Sequence, residues 1–392
     1  MNEKSIRIWA VVFAAIFSCY APLTAQPHCA RKLTPETKMW LQRLYDAAKE
    51  NKPYYSQFDQ YPARSQHTLQ STYARKTGVD LLVYGLDFYY ASGTWFTPAY
   101  KEKCRSNLIA IVKEAWHKHK AVPCFSWHLE NPYVPTGFNN YMGCRYRYGQ
   151  DGYPEPHRYV VKEILEEKGD SCGFGSYGKQ NNPKGYKNPA EWFDARCREV
   201  AGIIRELKDE DGHPIPIILR LWHECEDSWQ WWGKSYVSSE DYIRFFQLTV
   251  DKIEKYTRTH NVLYAYGPDR YWKDEDDFML RYPGDDYVEL IGFDDYSIGT
   301  DSVALQATIE RARTVSRLAM EHSKVAALFE TSNSKETTSD RFFRDFLQPL
   351  LKTGGVKFGL VQLWSTGRFR TSEEIADRTQ FLKSGVVKVI DK

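Results

Sequence analysis

The chain has 392 residues, 42% of them hydrophobic, and a formal net charge of +2 at pH 7. This length is enough for one large core, and a charge so close to zero gives no strong field for attracting nucleic acid or an acidic polymer, so a neutral partner is expected. Aromatic residues reach 15%, with 27 Tyr and 12 Trp, and amphipathic rings in this number suit contacts with carbohydrate.

The first 25 residues have the pattern of an export signal. Basic residues precede an apolar run over residues 8–18, and a small-residue cleavage site ends at Ala25. We expect residues 1–25 to be removed as a signal peptide, which predicts a secreted or periplasmic protein. Residues 26–392 are then expected to form a single domain, because no low-complexity linker or internal repeat divides them.

An alternative start of the mature chain is a lipidated Cys19. The bulky Phe17 just before it fits the usual lipidation motif poorly. No later segment is long and apolar enough to cross a membrane, so we expect no membrane insertion of the mature chain unless it is lipidated at Cys19. We expect a monomer.

Beyond the signal, short β-rich runs alternate with helical patterns, which is typical of βα units. The candidate strands are 54–60, 80–89, 122–127, 216–223, 262–267, 288–293, 325–330 and 358–364. Helical patterns fall near 100–119, 189–208, 240–258, 301–321, 340–352 and 372–384, and an additional helix is expected over 35–49. Eight such units predict an α/β fold, a (β/α)8 TIM barrel with an extra N-terminal helix and a long β3–α3 loop.

Two of these helices have candidate N-caps. Ser239 precedes Glu240 and Asp241, and Ser372 precedes further acidic residues. A hydroxyl at the cap, followed by acids in the first turn, satisfies free backbone donors at a helix start.

Cysteines and histidines in this chain do not have metal-site spacing. No Cys-x-x-Cys occurs, and His117 and His119 lie in a lysine-rich helical run that is better explained as a solvated helix face. We expect neither a metal nor a cofactor. Eight cysteines fit a partly oxidised exported protein, and Cys144 and Cys172 are the first candidates for a disulfide.

The apolar run 216–222 has strand length and ends in His223-Glu224, with three tryptophans within the next ten residues. A buried strand would thus deliver a carboxyl group to the rim of a sheet, beside flat apolar faces on which pyranose rings can stack. This arrangement is typical of an acid that cleaves sugars. The alternative is a plain buried strand followed by core tryptophans, although buried carboxylates are rare unless paired or functional.

A second carboxyl group, that of Glu330, ends the predicted seventh strand, as Glu224 ends the predicted fourth. Both ends lie at the C-terminal face of a barrel, where active sites form. Retaining glycosidases need two carboxyl groups about 5–5.5 Å apart, one as nucleophile and one as acid/base. The alternative for Glu330 is a strand-end carboxylate that caps a helix or accepts from a neighbouring amide.

Five groups of residues, in order along the chain, resemble glycoside hydrolase family 26, whose best-known members are β-mannanases. They are 126–132, 216–233, 282–287 with 292–296, 329–331 and 363–365. The resemblance implies a clan of barrel enzymes with the acid/base on strand four and the nucleophile on strand seven. It therefore implies Glu224 as acid/base and Glu330 as nucleophile.

The resemblance also implies substrate-binding residues near the acid. His128 matches a histidine of the subsite on the non-reducing side of the cleaved bond, and Trp229 matches the aromatic residue five positions past the acid. His223 is expected to bind sugar hydroxyls or to orient the nucleophile. The alternatives are a turn histidine at 128 and a core histidine at 223.

Further expected site residues follow strands six and eight. Tyr296 matches the tyrosine that hydrogen-bonds the nucleophile, Asp294 matches the family's nearby acid, and Trp364 matches the platform under the distorted sugar. Arg220 alternates towards the barrel interior, where a guanidinium can hold a carboxylate by paired hydrogen bonds.

Two features leave the substrate open. Family members often have Met-Asn-Gly after the acid, where this chain has Cys225-Glu226-Asp227, and this departure concerns the leaving-group side. The Tyr-rich segment Tyr133–Lys187 is too long for an ordinary loop and too aromatic for disorder. An open cleft with attack on internal bonds is expected, the alternative being that this segment closes one end of the cleft and favours chain ends.

Three functions remain possible from the sequence. The first is a retaining endo-β-1,4-mannanase, and the second is another retaining β-glycanase of the same fold, acting on β-1,3-xylan, mixed-linkage glucan or manno-oligosaccharides. The third is a carbohydrate-binding protein without catalysis, which the presence of both Glu224 and Glu330 disfavours. A β-linked polysaccharide, with mannan first, is the expected partner.

Overall fold

The computed structural model describes residues 29–58, 60–69, 71–93, 96–133, 159–168, 185–226, 230–332, 339–364 and 371–390. In this part of the chain, eight parallel strands form one sheet. They are β1 Tyr54–Gln57, β2 Val83–Asp87, β3 Val122–Ser126, β4 Ile217–Arg220, β5 Val262–Tyr266, β6 Leu290–Asp294, β7 Val325–Thr331 and β8 Leu360–Leu363. Each lies within or next to a run that the sequence predicted as a strand.

The strands follow one another around a nearly closed barrel. Their order is β1-β8-β7-β6-β5-β4-β3-β2, and a parallel bridge between Phe58 and Gly85 joins the two remaining edges. A Cβ at Gly85 would come within 2.7 Å of the Phe58 backbone, so this closure requires a glycine. The predicted (β/α)8 TIM barrel is confirmed.

Helices surround the barrel and cover the outer face of the sheet. They are α1 Pro35–Lys49, α2 Thr72–Thr77, α3 Tyr89–Ser92, α4 Pro98–His119, α5 Val160–Leu165, α6 Pro189–Glu206, α7 Ser239–Thr257, α8 Glu275–Met279, α9 Ser302–Glu321, α10 Gln348–Lys352 and α11 Ser372–Lys383. A π-helical turn, Phe343–Leu347, runs directly into α10. Since the strands are buried on both faces, their sequences form continuous rather than alternating apolar runs.

The two predicted N-caps were each wrong by one residue. The cap of α7 is Ser238, whose hydroxyl accepts from Asp241 N, and Ser239 is already helical. The cap of α11 is Thr371, which forms a reciprocal capping box with Glu374. In both places two hydroxyl residues stand side by side, and the first of them takes the extended conformation that a cap requires.

Four short helices were not anticipated, namely α2, α3, α5 and α8. They have four to six residues each, so they are too short to show the periodicity on which the sequence analysis relied. Helix α5 lies inside the segment Tyr133–Lys187, which was expected to be loop throughout. The predicted Cys144–Cys172 disulfide lies outside the described residues.

The N-terminal segment is fastened to the lower end of the barrel, opposite the C-terminal ends of the strands. Arg31 donates to both carboxylate oxygens of Glu289 at 2.5 Å and to Glu254 at 3.2 Å, and its guanidinium lies over the Tyr264 ring. Glu289 is almost fully buried. This ion pair tethers the chain just before α1 to the barrel, and removal of either partner would leave the other charge without its main counterion.

Among the described cysteines, Cys29, Cys104, Cys124, Cys197 and Cys225 are free thiols. None of the described helices combines the length and the apolar character that crossing a membrane demands.

Candidate active site

Three carboxyl groups converge at the C-terminal ends of β4, β6 and β7. Oxygen atoms of Glu224, Asp294 and Glu330 all lie within 4.8 Å of one another, and all three residues are buried. Glu330 is the penultimate residue of β7 and Asp294 the last of β6. Glu224 does not end β4 as expected, because the strand stops at Arg220 and a turn carries the acid into the site.

The turn that presents Glu224 has an unusual backbone. Trp222 has φ 48° and Glu224 has φ 55°, both in the left-handed region that non-glycine residues rarely adopt. Such residues cost on the order of 1–3 kcal/mol each and persist only where the surroundings over-determine them. Here Glu224 N donates to Gly267 O at 3.0 Å, and Tyr242 Oη donates to Trp222 O at 2.8 Å.

Arg220 lies beneath the carboxyl cluster and is fully buried. Its Nη1 donates to Glu330 Oε1 at 2.7 Å, while its Nη2 donates to both oxygens of Asp294 at 2.9 and 2.7 Å. Although burial acts to lower it, the pKa of Arg220 is raised by the carboxylates of Asp294 and Glu330. One guanidinium therefore orients two acids at once, as the alternation of β4 predicted.

The other oxygen of Glu330 has a separate donor. Tyr296 Oη donates to Glu330 Oε2 at 2.6 Å, so both carboxylate oxygens of Glu330 are held. Burial and then the charge of Glu330 raise the pKa of Tyr296 well above its usual value, which keeps the phenol protonated as a donor. Glu330 is thus fixed in a single orientation.

Glu224 is in a different electrostatic situation. Burial, followed by the negative charges of Glu330, Asp294 and Asp269, raises the pKa of its carboxyl well above the ordinary value, and Arg220 only partly opposes this. The Asp294 carboxyl, despite its bonds to Arg220, also has a raised pKa through burial. Glu224 is therefore suited to keep its proton, while Arg220 donates hydrogen bonds to the neighbouring Asp294 and Glu330.

A pair of histidines borders the acid. His128 Nδ1 lies 2.5 Å from Asp87 Oδ2, and His128 Nε2 lies 3.2 Å from His223 Nε2. Burial, His128 and Arg220 lower the pKa of His223 well below its usual value, so His223 is neutral. Asp87 holds His128 from the end of β2, and His128 in turn holds His223.

The expected aromatic residues divide into two groups. Trp364, just past β8, is partly exposed, stacks on Phe58 with ring centroids 4.0 Å apart, and lies 5.8 Å from the His128 ring. Trp231 and Trp232 are buried, and their indole N–H groups donate to Leu129 O and His223 O. These two tryptophans hold the backbone next to His128 and at His223. The predicted contact residue Trp229 lies outside the described residues.

Two acids of the site were missed in the sequence. Asp87 ends β2, and Asp269 follows β5, with its backbone bridged to Asp294. Both lie at C-terminal strand ends, where a barrel collects functional groups. A systematic inspection of acids at those positions would have found them.

The cluster of Glu224, Asp294 and Glu330 has the spacing of a cation site. Arg220, however, already supplies a positive charge and three hydrogen bonds to two of these acids. A guanidinium in this position makes the cluster a poor fit for a metal ion, since the ion would compete with it for the same oxygens.

Known proteins resemble this chain in sequence and in structure. Residues 186–336 match the model of glycosyl hydrolase family 26. A mannan endo-1,4-beta-mannosidase of Bifidobacterium adolescentis is 32% identical over 158 residues, which make up 39% of this chain and 15% of that protein. A mannan endo-1,4-beta-mannosidase of Bacillus subtilis is 26% identical over 304 residues, covering 74% of this chain and 71% of that protein.

Solved structures share the whole fold. GH26C from Muricauda sp. MAR_2010_75 superimposes with a TM-score of 0.72 at 23% identity, covering 91% of this chain and 92% of that one. The catalytic domain of the Bacillus sp. JAMB-750 GH26 endo-beta-1,4-mannanase gives a TM-score of 0.74 at 19% identity, covering 94% and 96%. At these identities the likeness concerns the fold.

Proposed function

We propose that the chain, whose residues 186–336 match the model of glycosyl hydrolase family 26, is a retaining endo-β-1,4-mannanase acting on β-mannan-type polysaccharides. The relatives named mannan endo-1,4-beta-mannosidase support this substrate class. The near-neutral charge of the chain agrees with an uncharged polymer as substrate.

The observation that carries the proposal is the separation of two glutamates. Oxygens of Glu224 and Glu330 lie within 4.8 Å of each other. Retaining glycosidases hold their carboxyl groups about 5–5.5 Å apart, whereas inverting enzymes need about 6.5–9.5 Å to fit a water molecule. The short separation leaves room for direct attack by one carboxylate and predicts retention of configuration.

In the first step, Glu330 attacks the anomeric carbon as a carboxylate. Arg220 Nη1 and Tyr296 Oη hold its two oxygens, so attack does not require the side chain to reorient. Glu224 remains protonated in its buried position and donates that proton to the departing glycosidic oxygen. A covalent glycosyl-enzyme forms and the leaving sugar departs as an alcohol.

In the second step, Glu224 acts in the reverse sense. Having lost its proton, it takes one from a water molecule, which attacks the anomeric carbon and releases Glu330. The raised pKa of Glu224 makes it an effective acid in the first step and an effective base in the second. Two inversions give net retention.

Substrate contacts are assigned by position around these two glutamates. His128 and His223 line the site as a hydrogen-bonded pair, and Asp294 can accept hydrogen bonds from sugar hydroxyls while bound to Arg220. Trp364 provides a partly exposed indole face beside His128 for stacking under a sugar ring. Trp229 is proposed as a further aromatic contact from its place in the sequence alone.

Product analysis tests the proposal. The full chain is incubated with mannan, β-1,3-xylan and mixed-linkage glucan, and the anomeric form of the fresh product is followed by NMR. We expect short β-manno-oligosaccharides from mannan, released with retained configuration. Release from xylan or glucan instead would reassign the substrate, and inverted product would overturn the two-glutamate mechanism.

Export is part of the proposal. The basic residues, the apolar run 8–18 and the cleavage site at Ala25 support a secreted or periplasmic enzyme, with lipidation at Cys19 as the alternative. The mass of the protein released by its native host distinguishes the two, because lipidation adds acyl chains to an N-terminal cysteine.

A further inference from the structure

A buried ion pair behind Glu224 takes no part in the mechanism described above. Glu226 is 1% exposed and Arg281, which follows α8, is 5% exposed. Arg281 Nη1 donates to Glu226 Oε1 at 3.4 Å, and Arg281 Nη2 donates to Val237 O at 3.4 Å. Arg281 therefore joins the two ends of the segment 226–237, which begins two residues after the acid.

In the turn before this segment, residues 222–225 each form a hydrogen bond through a backbone group. Tyr242 Oη donates to Trp222 O at 2.8 Å, Trp232 Nε1 to His223 O at 2.8 Å, Glu224 N to Gly267 O at 3.0 Å, and Lys234 N to Cys225 O at 3.0 Å. At Glu226 the restraint changes from backbone hydrogen bonds to a side-chain ion pair. This pair is the next restraint along the chain after the left-handed turn that aims Glu224.

The charges make Arg281 the main stabiliser of Glu226. Burial raises the pKa of the Glu226 carboxyl, and Arg281 acts in the opposite direction. The Lys234 ammonium lies 3.9 Å from Glu226 Oε2, beyond hydrogen-bond distance, and Glu226 Oε2 accepts no hydrogen bond among the described residues. Without Arg281, Glu226 would be a buried and poorly paired acid, and such a group is relieved by moving towards solvent.

We propose that Glu226 and Arg281 form a positioning pair that keeps the Glu224 carboxyl aimed at the leaving-group oxygen. Glu226 belongs to Cys225-Glu226-Asp227, which stands in this chain in place of the Met-Asn-Gly of many family members. The inference rests on the proposed function, because it assigns Glu224 the acid/base role. Neither residue of the pair contacts the reacting atoms.

Leaving-group dependence tests the pair. Dinitrophenyl β-manno-oligosides need little help from an acid, whereas unactivated manno-oligosaccharides need a well-aimed one. We expect Arg281→Met to lower kcat/KM on the unactivated substrate about tenfold, and on the dinitrophenyl substrate less than about threefold, since a general acid contributes roughly 10²–10⁴ in rate. Glu226→Gln is expected to change the ratio in the same direction, and Arg281→Lys to restore most of it.

The Arg31–Glu289 pair provides a matched control. It joins a buried glutamate to a partly exposed arginine at the opposite end of the barrel, so Arg31→Met should lower thermal stability without changing the ratio between the two substrates. Equal losses on both substrates in Arg281→Met and Glu226→Gln, or unchanged ratios in both, would overturn the positioning role. Should Arg281→Met fail to fold, the isosteric Glu226→Gln decides alone.

Failure of the proposed function gives a different result. A wild-type enzyme that cleaves no mannan refutes the mannanase assignment, and the ratio is then measured with aryl glycosides of the glycan that it does cleave. A ratio that shifts there supports the positioning pair, and a ratio that does not shift overturns it.

Discussion

Replacement of Glu224 by glutamine is expected to stabilise the protein while removing its activity on mannan. The carboxyl oxygens of Glu224, Asp294 and Glu330 lie within 4.8 Å of one another in a buried site. Two unit charges at this distance repel by about 3.5 kcal/mol at an effective dielectric constant of about 20. Glu224 avoids part of this repulsion by retaining its proton, but at neutral pH it must take up that proton when the chain folds. Glutamine is neutral in both states, so we expect Glu224→Gln to raise the free energy of unfolding by about 1–3 kcal/mol at neutral pH.

The gain should depend on pH with a definite sign. The pKa of Glu224 is raised in the folded state above its ordinary value of 4.5, so the native protein binds this proton more tightly than the unfolded chain does. The resulting stabilisation is fully present below the unfolded pKa and is lost as the pH rises towards the folded pKa. Glutamine has no such proton, so its advantage over wild type should be small near pH ~4.5 and should grow above it.

Thermal unfolding of both proteins at the two pH values measures this effect. A gain of about 1–3 kcal/mol corresponds to a rise in Tm of about 1–4 °C for a chain of this size. The control is Glu289→Gln, which weakens the ion pair between the buried Glu289 and the partly exposed Arg31 and should lower Tm instead. A Tm for Glu224→Gln equal to or below wild type at neutral pH would refute the reasoning.

Four further expectations concern catalysis. Glu330→Ala should abolish turnover of every glycoside, whereas Glu224→Ala should still cleave dinitrophenyl glycosides and be rescued by azide. An inverted glycosyl azide from Glu224→Ala would contradict the assignment. Tyr296→Phe removes a 2.6 Å hydrogen bond to Glu330 and should lower kcat, with little change in KM, by about 10–100-fold, the equivalent of 1.5–3 kcal/mol; an unchanged kcat would show that Arg220 suffices. The alkaline limb of the pH profile of kcat/KM should report loss of the Glu224 proton and disappear for dinitrophenyl substrates; a limb that persists with these would point to another group. Exhaustive chelation should leave turnover intact, because Arg220 already binds the oxygens of Asp294 and Glu330 that a metal ion would need. Lost turnover with an intact fold, restored by zinc, would overturn this.

The predicted and observed helices and strands show how much of the secondary structure local sequence determines. The eight strands were predicted close to their observed positions because each is a short apolar run between turn residues, and this signal survives without tertiary context. The short helices α2, α3, α5 and α8 carry too few residues for a periodic signal. The N-caps at Ser238 and Thr371 were displaced by one residue because both neighbours can cap, and only the backbone conformation selects between them.

Most of the predicted site residues lie near their expected positions, and one does not. Arg220, Asp294, Tyr296 and Glu330 lie on or directly after strands, and the structure brings them into mutual contact near their predicted positions. Glu224 was expected at the end of β4 and instead follows a left-handed turn, which no local preference of Trp222 or Glu224 favours.

By itself, the sequence determined the α/β class and the number of strands, because short apolar runs are local features, and it made Glu224 and Glu330 candidates for the site. Tertiary structure alone decided that Asp87 orients His128, that the charge of Asp269 acts on Glu224, and that Arg281, which follows α8, reaches Glu226. These relations depend on which strand ends become neighbours when the barrel closes. Closure also decides the electrostatics, since burial and the charges gathered around Glu224 raise the pKa of its carboxyl.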